Sequence, residues 1–384
     1  MRILFSATPA HGHIIPLLPL ARSFRAQGDD VALLTAGSLA SSFVGEGMVP
    51  LAAGPALDVL MGEVMRRTGA DPLAGLTPEQ EAEAFAGVRV DLTADEAEAM
   101  ARGWQPDLIV SEHYDFVGPI TASALGVPFA TLAFGPAMSP TAAALMTSTI
   151  RKRHDKRGIP LRRPRWYLDT CPLALQTDGW SKPEGHIGLR PEPHRAAGRP
   201  PADKTLSSPK RSTTARVLVT FGTVFSSPEV LNPLLVELSA ADLEVSVTTG
   251  LQASAGDYAF GAENVPDNVK LFGFTPLDEL LPGMDIAVTH GGAGSTLGIL
   301  AAGIPMVVVP LAADQFVQAA RVANAGAGIS VEKGASASDV AKAVASLLAE
   351  PAYRENAGKV AEEIAALVAP EAVAARLRQS LAEQ

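Results

Sequence analysis

A glycine-rich turn near position 290 limits what this 384-residue chain can fold into more than any other feature. The apolar run Ile286–Thr289 is typical of a short buried strand, and the stretch from His290 to Gly294 is a loop with almost no side chains. Ser295 or Thr296 then opens a helix that continues to about Ala302. Such a turn lets the backbone approach a ligand closely and points N–H groups at it, which suits a phosphate. The turn therefore predicts an α/β protein with an anion-binding site.

Polar residues around the turn favour a ligand site over simple packing. His290, Ser295 and Thr296 add side-chain donors at the same place. The polar pair Asp314-Gln315 follows the next predicted strand. Taken alone, a short glycine motif more often only brings a helix against a sheet. A dinucleotide-binding fold requires its glycine motif after the first strand of the domain and an acidic residue about 20 positions later. Neither condition holds for this turn, so that fold is set aside.

The block from Asp285 to Gln315 resembles the donor-binding motif of sugar-nucleotide-dependent glycosyltransferases of the GT-B fold. It is most similar to that of the bacterial enzymes that decorate natural products, such as macrolide and enediyne antibiotics. The resemblance extends over essentially the whole chain. It implies an α/β protein of the GT-B type, with two Rossmann-like domains whose parallel sheets face a central cleft. It also implies a nucleotide diphosphate sugar as co-substrate.

Composition narrows the class of protein further. The length predicts two domains, and 47% hydrophobic with 19% charged residues permits a large core. A net charge of −10 argues against a nucleic-acid partner. The N-terminus lacks the apolar core of a signal peptide, and no apolar run approaches the ~18 residues of a membrane span. The single cysteine, Cys171, excludes an internal disulfide and disfavours a cysteine-based metal site. We expect a cytoplasmic protein without membrane contact, a monomer or a homodimer.

Two α/β patterns follow one another along the chain. The first opens with a strand at Arg2–Ser6, a loop at Ala7–His13, a helix at Ile14–Gln27 and a strand at Val31–Thr35. This order predicts a parallel sheet with ligands at the carboxyl ends of its strands. The second pattern restarts near Ala215.

A proline-rich stretch between Pro191 and Pro209 separates the two patterns and is predicted to be the linker. We predict an acceptor-binding domain with its linker at 1–205 and a donor-binding domain at 206–366. By resemblance, a C-terminal helix at 367–384 crosses back to the first domain.

A histidine in the first predicted loop is the candidate general base. Imidazole titrates near neutrality and can accept the proton of an acceptor hydroxyl. His13, followed by Pro16, matches the catalytic histidine of the resembled family. A carboxylate that orients such a ring stabilises the imidazolium, and Glu112 lies at the strand end where the family places an acid. Many relatives have Asp there, so Glu112 is longer by one methylene, and Asp115 and His113 are nearby alternatives.

The second half carries the residues that the resemblance assigns to the donor. Many glycosyltransferases bind a metal through an Asp-any-Asp triplet, which this chain lacks. The helix N-terminus after Gly294 and the imidazole of His290 would then stabilise the leaving diphosphate, with no metal or other cofactor. Phe274 stands at the base-stacking position, but its segment lacks the usual tryptophan and glutamine, so uridine and thymidine both stay open. The predicted donor-binding set is Gly222, Thr223, Phe274, His290, Gly291, Gly292, Gly294, Ser295, Thr296, Asp314 and Gln315.

The acceptor side is less clearly marked. A predicted amphipathic helix at Leu57–Arg67 carries two methionines that suit an adaptable apolar pocket, although ordinary packing explains them equally well. The run Arg151–Arg165 has eight Lys or Arg in fifteen positions, which is typical of a solvated helix or loop. Contact with an anionic acceptor is the alternative. The predicted acceptor-binding residues are His11, Met61, Met65, His113 and Phe134.

Together these patterns predict an inverting, metal-independent glycosyltransferase. By resemblance it would move a sugar, commonly a deoxysugar, from a TDP- or UDP-sugar onto a hydrophobic natural-product aglycone. Two alternatives stay open. A nucleotide-sugar epimerase of the same fold would turn over without an acceptor, and a non-catalytic accessory protein would bind the nucleotide sugar without turnover.

Overall fold

The computed structural model describes residues 1–70, 75–198, 214–223, 225–250, 258, 265–312 and 314–383. Contacts divide the chain into two compact units. The first unit comprises Met1–Cys171, Thr177–Arg190 and Leu367–Gln384, and the second comprises Pro172–Gln176 and Pro191–Ala366. Each unit is built around one parallel sheet.

The first unit is organised around a seven-stranded sheet in which all neighbouring strands are parallel. Its strands are β1 (Arg2–Ser6), β2 (Asp30–Thr35), β3 (Val49–Ala52), β4 (Leu108–Glu112), β5 (Phe129–Ala133), β6 (Trp166–Asp169) and β7 (His186–Gly188). Their order across the sheet is β3-β2-β1-β4-β5-β6-β7. From β1, the strands β2 and β3 are added on one side and β4 to β7 on the other, so the strand order reverses between β1 and β4. In doubly wound sheets, ligands bind at the carboxyl ends of the strands at such a switch point.

The second unit repeats this plan with six parallel strands. They are β8 (Ala215–Thr220), β9 (Leu243–Thr248), β10 (Val269–Phe272), β11 (Ile286–Thr289), β12 (Met306–Val308) and β13 (Gly328–Ser330). The order is β10-β9-β8-β11-β12-β13, so the switch point lies between β8 and β11.

Helices connect the strands in both units. Those of the first unit are α1 (His11–Ile14), α2 (Leu18–Ala26), α3 (Gly37–Ser42), α4 (Leu57–Thr68), α5 (Pro78–Ala82), α6 (Arg89–Trp104), α7 (Val117–Leu125) and α8 (Pro140–Arg157). Those of the second unit are α9 (Pro228–Ser239), α10 (Leu277–Leu280), α11 (Ala293–Ala301), α12 (Gln315–Asn324), α13 (Ala337–Ala349) and α14 (Pro351–Ala366). The last helix, α15 (Pro370–Ala382), belongs to the first unit again. Between α5 and α6 the chain makes a π-helical turn, Glu83–Val88.

The central strands are apolar on both faces. In β1, Ile3, Leu4 and Phe5 are completely buried, and every residue of β4 is buried. Continuous apolar runs of this kind are typical of parallel sheets that are covered on both sides. The α/β class with parallel sheets is therefore confirmed.

Helix α15 packs against α2 at the edge of the first unit. The guanidinium of Arg378 donates to the backbone oxygen of Gln27 at 2.6 Å, and the side-chain amide of Gln27 donates to the oxygen of Glu371 at 2.8 Å. Val373 and Leu377 of α15 are fully buried. The segment after residue 366 thus completes the core of the unit that opened the chain.

The first predicted loop and helix are wrong in their bounds. Helix α1 already begins at His11, so the loop Ala7–His13 is shorter than predicted. The predicted helix Ile14–Gln27 is interrupted by a 3₁₀ turn at Ile15–Leu17. Proline at position 16 explains the interruption, because it has no N–H to continue an α-helical ladder.

Short elements were missed for lack of length. Strands β3, β6 and β7 have four, four and three residues, too few for a repeating pattern to show. Helix α11 begins at Ala293, two residues before the predicted start.

The predicted boundary between 205 and 206 lies outside the described residues, as does the predicted linker from 199 to 209. In the part of the chain that is described, no helix is both long enough and apolar enough to span a membrane.

Candidate active site

His13 and Glu112 meet at the switch point of the first sheet. His13 lies in α1, just after β1, and Glu112 is the last residue of the neighbouring β4. The Nδ1 atom of His13 is 3.0 Å from Oε1 of Glu112. The side chain of His13 is 21% exposed, whereas that of Glu112 is completely buried. The carboxylate of Glu112 is therefore buried, whereas the imidazole of His13 can be reached by a second molecule.

Three groups hold the Glu112 carboxylate in place. Oε2 accepts from the N–H of Tyr114 at 2.6 Å, and Oε1 accepts from the N–H of Thr8 at 3.2 Å as well as facing His13. Burial favours the neutral acid, but the charge and hydrogen bond of His13 outweigh it and lower the pKa of Glu112 to about 2. Glu112 is consequently ionised at neutral pH. The additional methylene of Glu relative to Asp still allows contact with the ring.

The two alternatives to Glu112 are engaged elsewhere. The carboxylate of Asp115 accepts from the hydroxyl of Ser6 and, at 3.2 Å, from the N–H of Gly118 in the first turn of α7. His113 packs with its ring centroid 4.5 Å from that of Phe134, and burial lowers its pKa to about 4. His113 is thus a neutral ring within an aromatic cluster.

Aromatic side chains surround the imidazole of His13. Ring centroids lie at 5.3 Å for Phe134, 6.0 Å for Phe85 and 6.1 Å for Tyr114. They provide an apolar wall beside the candidate base. The sequence indicated Phe134 but not the other two. Tyr114 could have been found as a ring two positions after a strand-ending acid, whereas Phe85 depends on the π-helical turn, which no simple period reveals.

The remaining predicted acceptor residues are dispersed around the first unit's sheet. The ring of His11 packs 5.7 Å from that of Phe43. On α4 the fully buried residues are Leu60 and Val64, while Met61 is half-buried and Met65 is 48% exposed. An apolar cavity of about 310 Å³ lies near the carboxyl ends of the first strands. It is lined by Pro9, Ala36, Ser38, Leu39, Ala56 and Leu57.

The first part of the basic run, 151–157, forms the end of α8 and makes ion pairs with acidic neighbours. A guanidinium nitrogen of Arg153 is 3.0 Å from Asp91 and 3.1 Å from Glu83. Arg157 pairs with Glu98 at 3.2 Å. These two arginines bind α8 to α6 and to the π-helical turn, which accounts for part of the charge without an anionic acceptor.

The second unit places His290 at its own switch point. His290 follows β11 directly, and Gly222 and Thr223 lie just beyond the end of β8. The imidazole is 8% exposed and lies against the rings of Phe225 and Phe221, at 5.8 Å and 6.1 Å. Burial lowers the pKa of His290 to about 4. At neutral pH the ring is therefore an uncharged hydrogen-bond donor rather than a cation.

Two of the predicted glycines leave room for this ring. A Cβ on Gly292 would lie 2.6 Å from Nε2 of His290, and one on Gly222 would lie 2.9 Å from its Cε1. Gly222 also has a φ of 68°, which a side chain would strain. Any larger residue at either position would push the imidazole out of its place.

The N-terminus of α11 lies next to His290, and the two hydroxyl residues there differ. Like any helix, α11 begins with N–H groups that lack partners within the helix, and it attracts anions. Gly294 is exposed and Ser295 half-buried, so both stand near solvent at this end. Thr296 is completely buried and donates its N–H to the oxygen of Gly292 at 2.9 Å. Its hydroxyl oxygen is buried and has no hydrogen-bond partner among the described residues, and its predicted contact with the donor stays a prediction. In the described part of the chain, no three His, Cys, Asp or Glu side chains are grouped so that they could hold a metal ion.

The polar pair before α12 is also divided between two environments. Asp314 is half-buried at the start of α12. Gln315 is 4% exposed, and its amide oxygen accepts from the N–H groups of Leu311 and Ala312 at 2.8 and 3.0 Å. This oxygen stabilises the loop after β12, and the predicted contacts of Asp314 and Gln315 with the sugar stay predictions.

Phe274, the predicted base-stacking residue, is exposed just after β10. Its side chain is 43% exposed, and its ring lies 5.7 Å from that of His194 within the same unit. An exposed ring of this kind can stack on a planar ligand. Gly291, the remaining residue of the donor set, has a φ of 89° and forms the turn directly after His290.

Known proteins resemble this chain along its whole length. Residues 22–183 match the N-terminal domain, and residues 232–380 the C-terminal domain, of the Erythromycin biosynthesis protein CIII-like family. Elloramycin glycosyltransferase ElmGT of Streptomyces olivaceus is 32% identical over 98% of this chain and 97% of its own. The solved glycosyltransferase SnogD from Streptomyces nogalater superposes with a TM-score of 0.78 at 29% identity, covering 99% of each chain. SsfS6 of Streptomyces sp. SF2575, solved with thymidine diphosphate, gives 0.79 at 27% identity and the same coverage.

Fold and relatives together define the class of protein: the chain is a glycosyltransferase of the GT-B fold. Each of its two parallel sheets has a histidine at the switch point. Within that class, the chain belongs to the Erythromycin biosynthesis protein CIII-like family of bacterial natural-product glycosyltransferases.

Proposed function

We propose that this glycosyltransferase works by one inverting displacement without a metal. The proposed donor is a TDP-deoxysugar, and the proposed acceptor is a hydroxyl of a hydrophobic natural-product aglycone. The observation that carries the proposal is the 3.0 Å contact between Nδ1 of His13 and Glu112 at the switch point of the first sheet. An ionised carboxylate there fixes both the orientation and the tautomer of the ring.

The pair acts as a general base. Because the Nδ1–H of His13 donates a hydrogen bond to the ionised Glu112, the lone pair of the imidazole is on Nε2. Nε2 accepts the proton of the acceptor hydroxyl while the oxygen bonds to the anomeric carbon and the bond to the diphosphate oxygen breaks. Attack opposite the leaving group inverts the anomeric centre. Glu112, ionised because its pKa is about 2, stabilises the imidazolium that forms.

The leaving diphosphate gathers negative charge and needs preorganised donors. The N-terminus of α11 and the neutral imidazole of His290 supply N–H groups in one place, which supports a metal-free site. Thymidine rather than uridine is supported by the relative SsfS6, whose structure contains thymidine diphosphate. The exposed ring of Phe274 offers the base a stacking surface.

The proposed acceptor is hydrophobic because its surroundings are. The rings of Phe85, Tyr114 and Phe134 line the approach to His13, and the apolar cavity of about 310 Å³ lies in the same unit. The relatives named Elloramycin glycosyltransferase ElmGT and 3-alpha-mycarosylerythronolide B desosaminyl transferase support a natural product as the acceptor.

Turnover of TDP- and UDP-deoxysugars with a panel of hydroxylated polyketide aglycones tests the proposal. His13→Ala should lower kcat by about 10²-fold or more, the usual range for loss of a general base, without weakening thymidine diphosphate. The matched control is His186→Ala, because His186 also faces a carboxylate, Asp169, at 3.4 Å in the same unit. The control should keep normal turnover. Product NMR should show an inverted anomeric centre, and EDTA should leave the rate unchanged.

Several outcomes would contradict the proposal. Near-normal turnover of His13→Ala would remove His13 from the mechanism, and a retained anomeric configuration would exclude a single displacement. Loss of activity in EDTA that Mg²⁺ restores would exclude a metal-free site. Conversion of the donor without an acceptor would favour the epimerase, and binding without any turnover would favour the accessory protein.

A further inference from the structure

Arg89, the first residue of α6, carries a positive charge in the core of the first unit. Only 1% of it is exposed, and it is the largest of the fully buried side chains. A buried guanidinium is costly unless charges and hydrogen bonds compensate it. General base chemistry at His13 and Glu112 does not by itself require this residue, so its place in the core calls for another reason.

The contacts of Arg89 lead to the segments that carry the catalytic pair. Its Nη2 donates to the backbone oxygen of Ala7 at 2.8 Å, in the loop between β1 and the helical turn of His13. The same nitrogen is 3.5 Å from the carboxylate of Asp115. Nη1 donates to the hydroxyl of Thr93 at 3.0 Å, one turn along α6. Arg89 thus binds the loop before the base and the acid that begins α7.

Arg89 places a positive charge in a region that contains two buried carboxylates. Two buried carboxylates, Glu112 and Asp115, lie on the same strand end, and the backbone N–H of Asp115 donates to the oxygen of Glu112 at 3.0 Å. The ionisable rings near them are His13, which pairs with Glu112, and His113, which burial keeps neutral. Burial raises the pKa of Asp115, whereas the guanidinium of Arg89 at 3.5 Å favours its ionised form.

We propose that Arg89 is a positioning residue for the His13–Glu112 pair, an inference that rests on the proposed function. It holds Asp115 ionised and turned toward α7, so that Glu112 remains the carboxylate that faces His13. It also fixes the loop that delivers His13. The π-helical turn Glu83–Val88 supports the same arrangement, because one short segment brings Phe85 to the ring of His13 and Arg89 to the backbone oxygen of Ala7.

Charge removal and charge compensation test this role. In Arg89→Met, two carboxylates share the site with no cation, so the site takes up a proton more readily. We expect kcat to fall by about 10-fold or more and the acid limb of kcat/KM to move to higher pH by about half a unit or more, with KM for the donor nearly unchanged. Adding Asp115→Asn removes the excess charge while Asn still caps α7, so the double variant should regain most of the lost kcat and the original acid limb.

Two further variants keep the test decisive. Arg102→Met on the same helix is the matched control and should match wild type, because Arg102 is an exposed arginine that pairs with Glu98. Arg89→Lys keeps the charge, so its acid limb should stay in place even if Arg89→Met does not fold. Calorimetry with thymidine diphosphate tests the second unit and should show unaltered binding in every variant.

A purely structural role of Arg89 predicts different results. Loss of thermal stability with an unmoved acid limb in Arg89→Met would overturn the proposal, and so would a loss of kcat that Asp115→Asn fails to relieve. A shifted acid limb in Arg89→Lys would also overturn it. These outcomes are separate from failure of the proposed base, since inactivity of His13→Ala does not depend on the charge at position 89.

Discussion

Acidification should destabilise the second unit through His290. The ordinary pKa of histidine is about 6.5, and burial lowers that of His290 to about 4. Between these two values the unfolded chain binds a proton that the folded unit does not. The free energy of unfolding therefore falls as the pH is lowered through this range.

The distance between the two pKa values sets the size of this effect. At about 1.36 kcal/mol per pH unit, the whole range from pH 6.5 to 4 corresponds to about 3 kcal/mol, of which about 2 kcal/mol falls between pH 7 and 5. In His290→Asn this group is absent. The difference in unfolding free energy between wild type and variant should consequently shrink by about 2 kcal/mol over that interval, whatever the variant costs at pH 7.

Hydrogen exchange of β11 is the suitable measurement. The three tryptophans, Trp104, Trp166 and Trp180, all belong to the first unit, so their fluorescence does not follow the second. Wild type and variant are compared at the same pH, where intrinsic exchange rates cancel and the ratio of protection factors gives the difference in local stability. His186→Asn, in the first unit, serves as the control and should leave β11 unchanged.

A constant difference would refute the reasoning. If wild type and His290→Asn differed by the same free energy at pH 7 and pH 5, within about 0.5 kcal/mol, the imidazole would take up its proton in the folded unit as readily as in the unfolded chain. The ring would then be charged at mildly acidic pH, and its proposed part as a neutral donor to the diphosphate would have to be abandoned.

Three further predictions follow from the site. Glu112→Gln should lower kcat by about 10²-fold or more because the imidazolium loses its charged partner; steady-state kinetics with unaltered thymidine diphosphate affinity would show this, and normal turnover would contradict it. Gly292→Ala should raise the Kd for thymidine diphosphate by about 10-fold in calorimetry, since the new Cβ would lie 2.6 Å from the ring of His290. Gly358→Ala, whose Cβ meets nothing within 4 Å, is its control, and equal Kd values would contradict the prediction. Phe274→Ala should weaken the same ligand by about fivefold through loss of stacking, and unchanged binding would place the base elsewhere.

The residues that the sequence could indicate are those whose place depends on chain order alone. His13 and Glu112 each follow a central strand, and the carboxyl ends of neighbouring parallel strands meet at one edge. Correct prediction of strands β1 and β4 was therefore enough to predict that His13 and Glu112 lie close together. The same holds for His290 and Gly222, which follow β11 and β8.

The direction of a side chain required more than chain order. Helix α11 starts two residues earlier than predicted, and two residues correspond to about 200° around a helix axis. Thr296 is accordingly completely buried, whereas Ser295 is half-buried. Gln315 was placed correctly along the chain, but its amide oxygen binds the backbone of the preceding loop.

Arg89 is the residue whose role was hardest to predict from the sequence. Arginine is one of the residues least often buried, so a helix-opening arginine is normally assigned to solvent. Its burial becomes intelligible only when Asp115 and the oxygen of Ala7 are seen on either side of it. Those neighbours are 26 and 82 positions away in sequence, and no local pattern connects them.

The return of the chain to its first unit has a consequence for synthesis on the ribosome. Helix α2 contacts α15 across 351 positions, as in the hydrogen bond from Arg378 to Gln27. Everything from Pro191 to Ala366 is made between these partners and belongs to the second unit. At about 5–20 residues per second, these 351 positions take on the order of 18 to 70 s to make, and the face of α2 stays uncovered for that time. The second unit can thus complete its fold before the first does, and the face of α2 is where we expect a chaperone to bind the nascent chain.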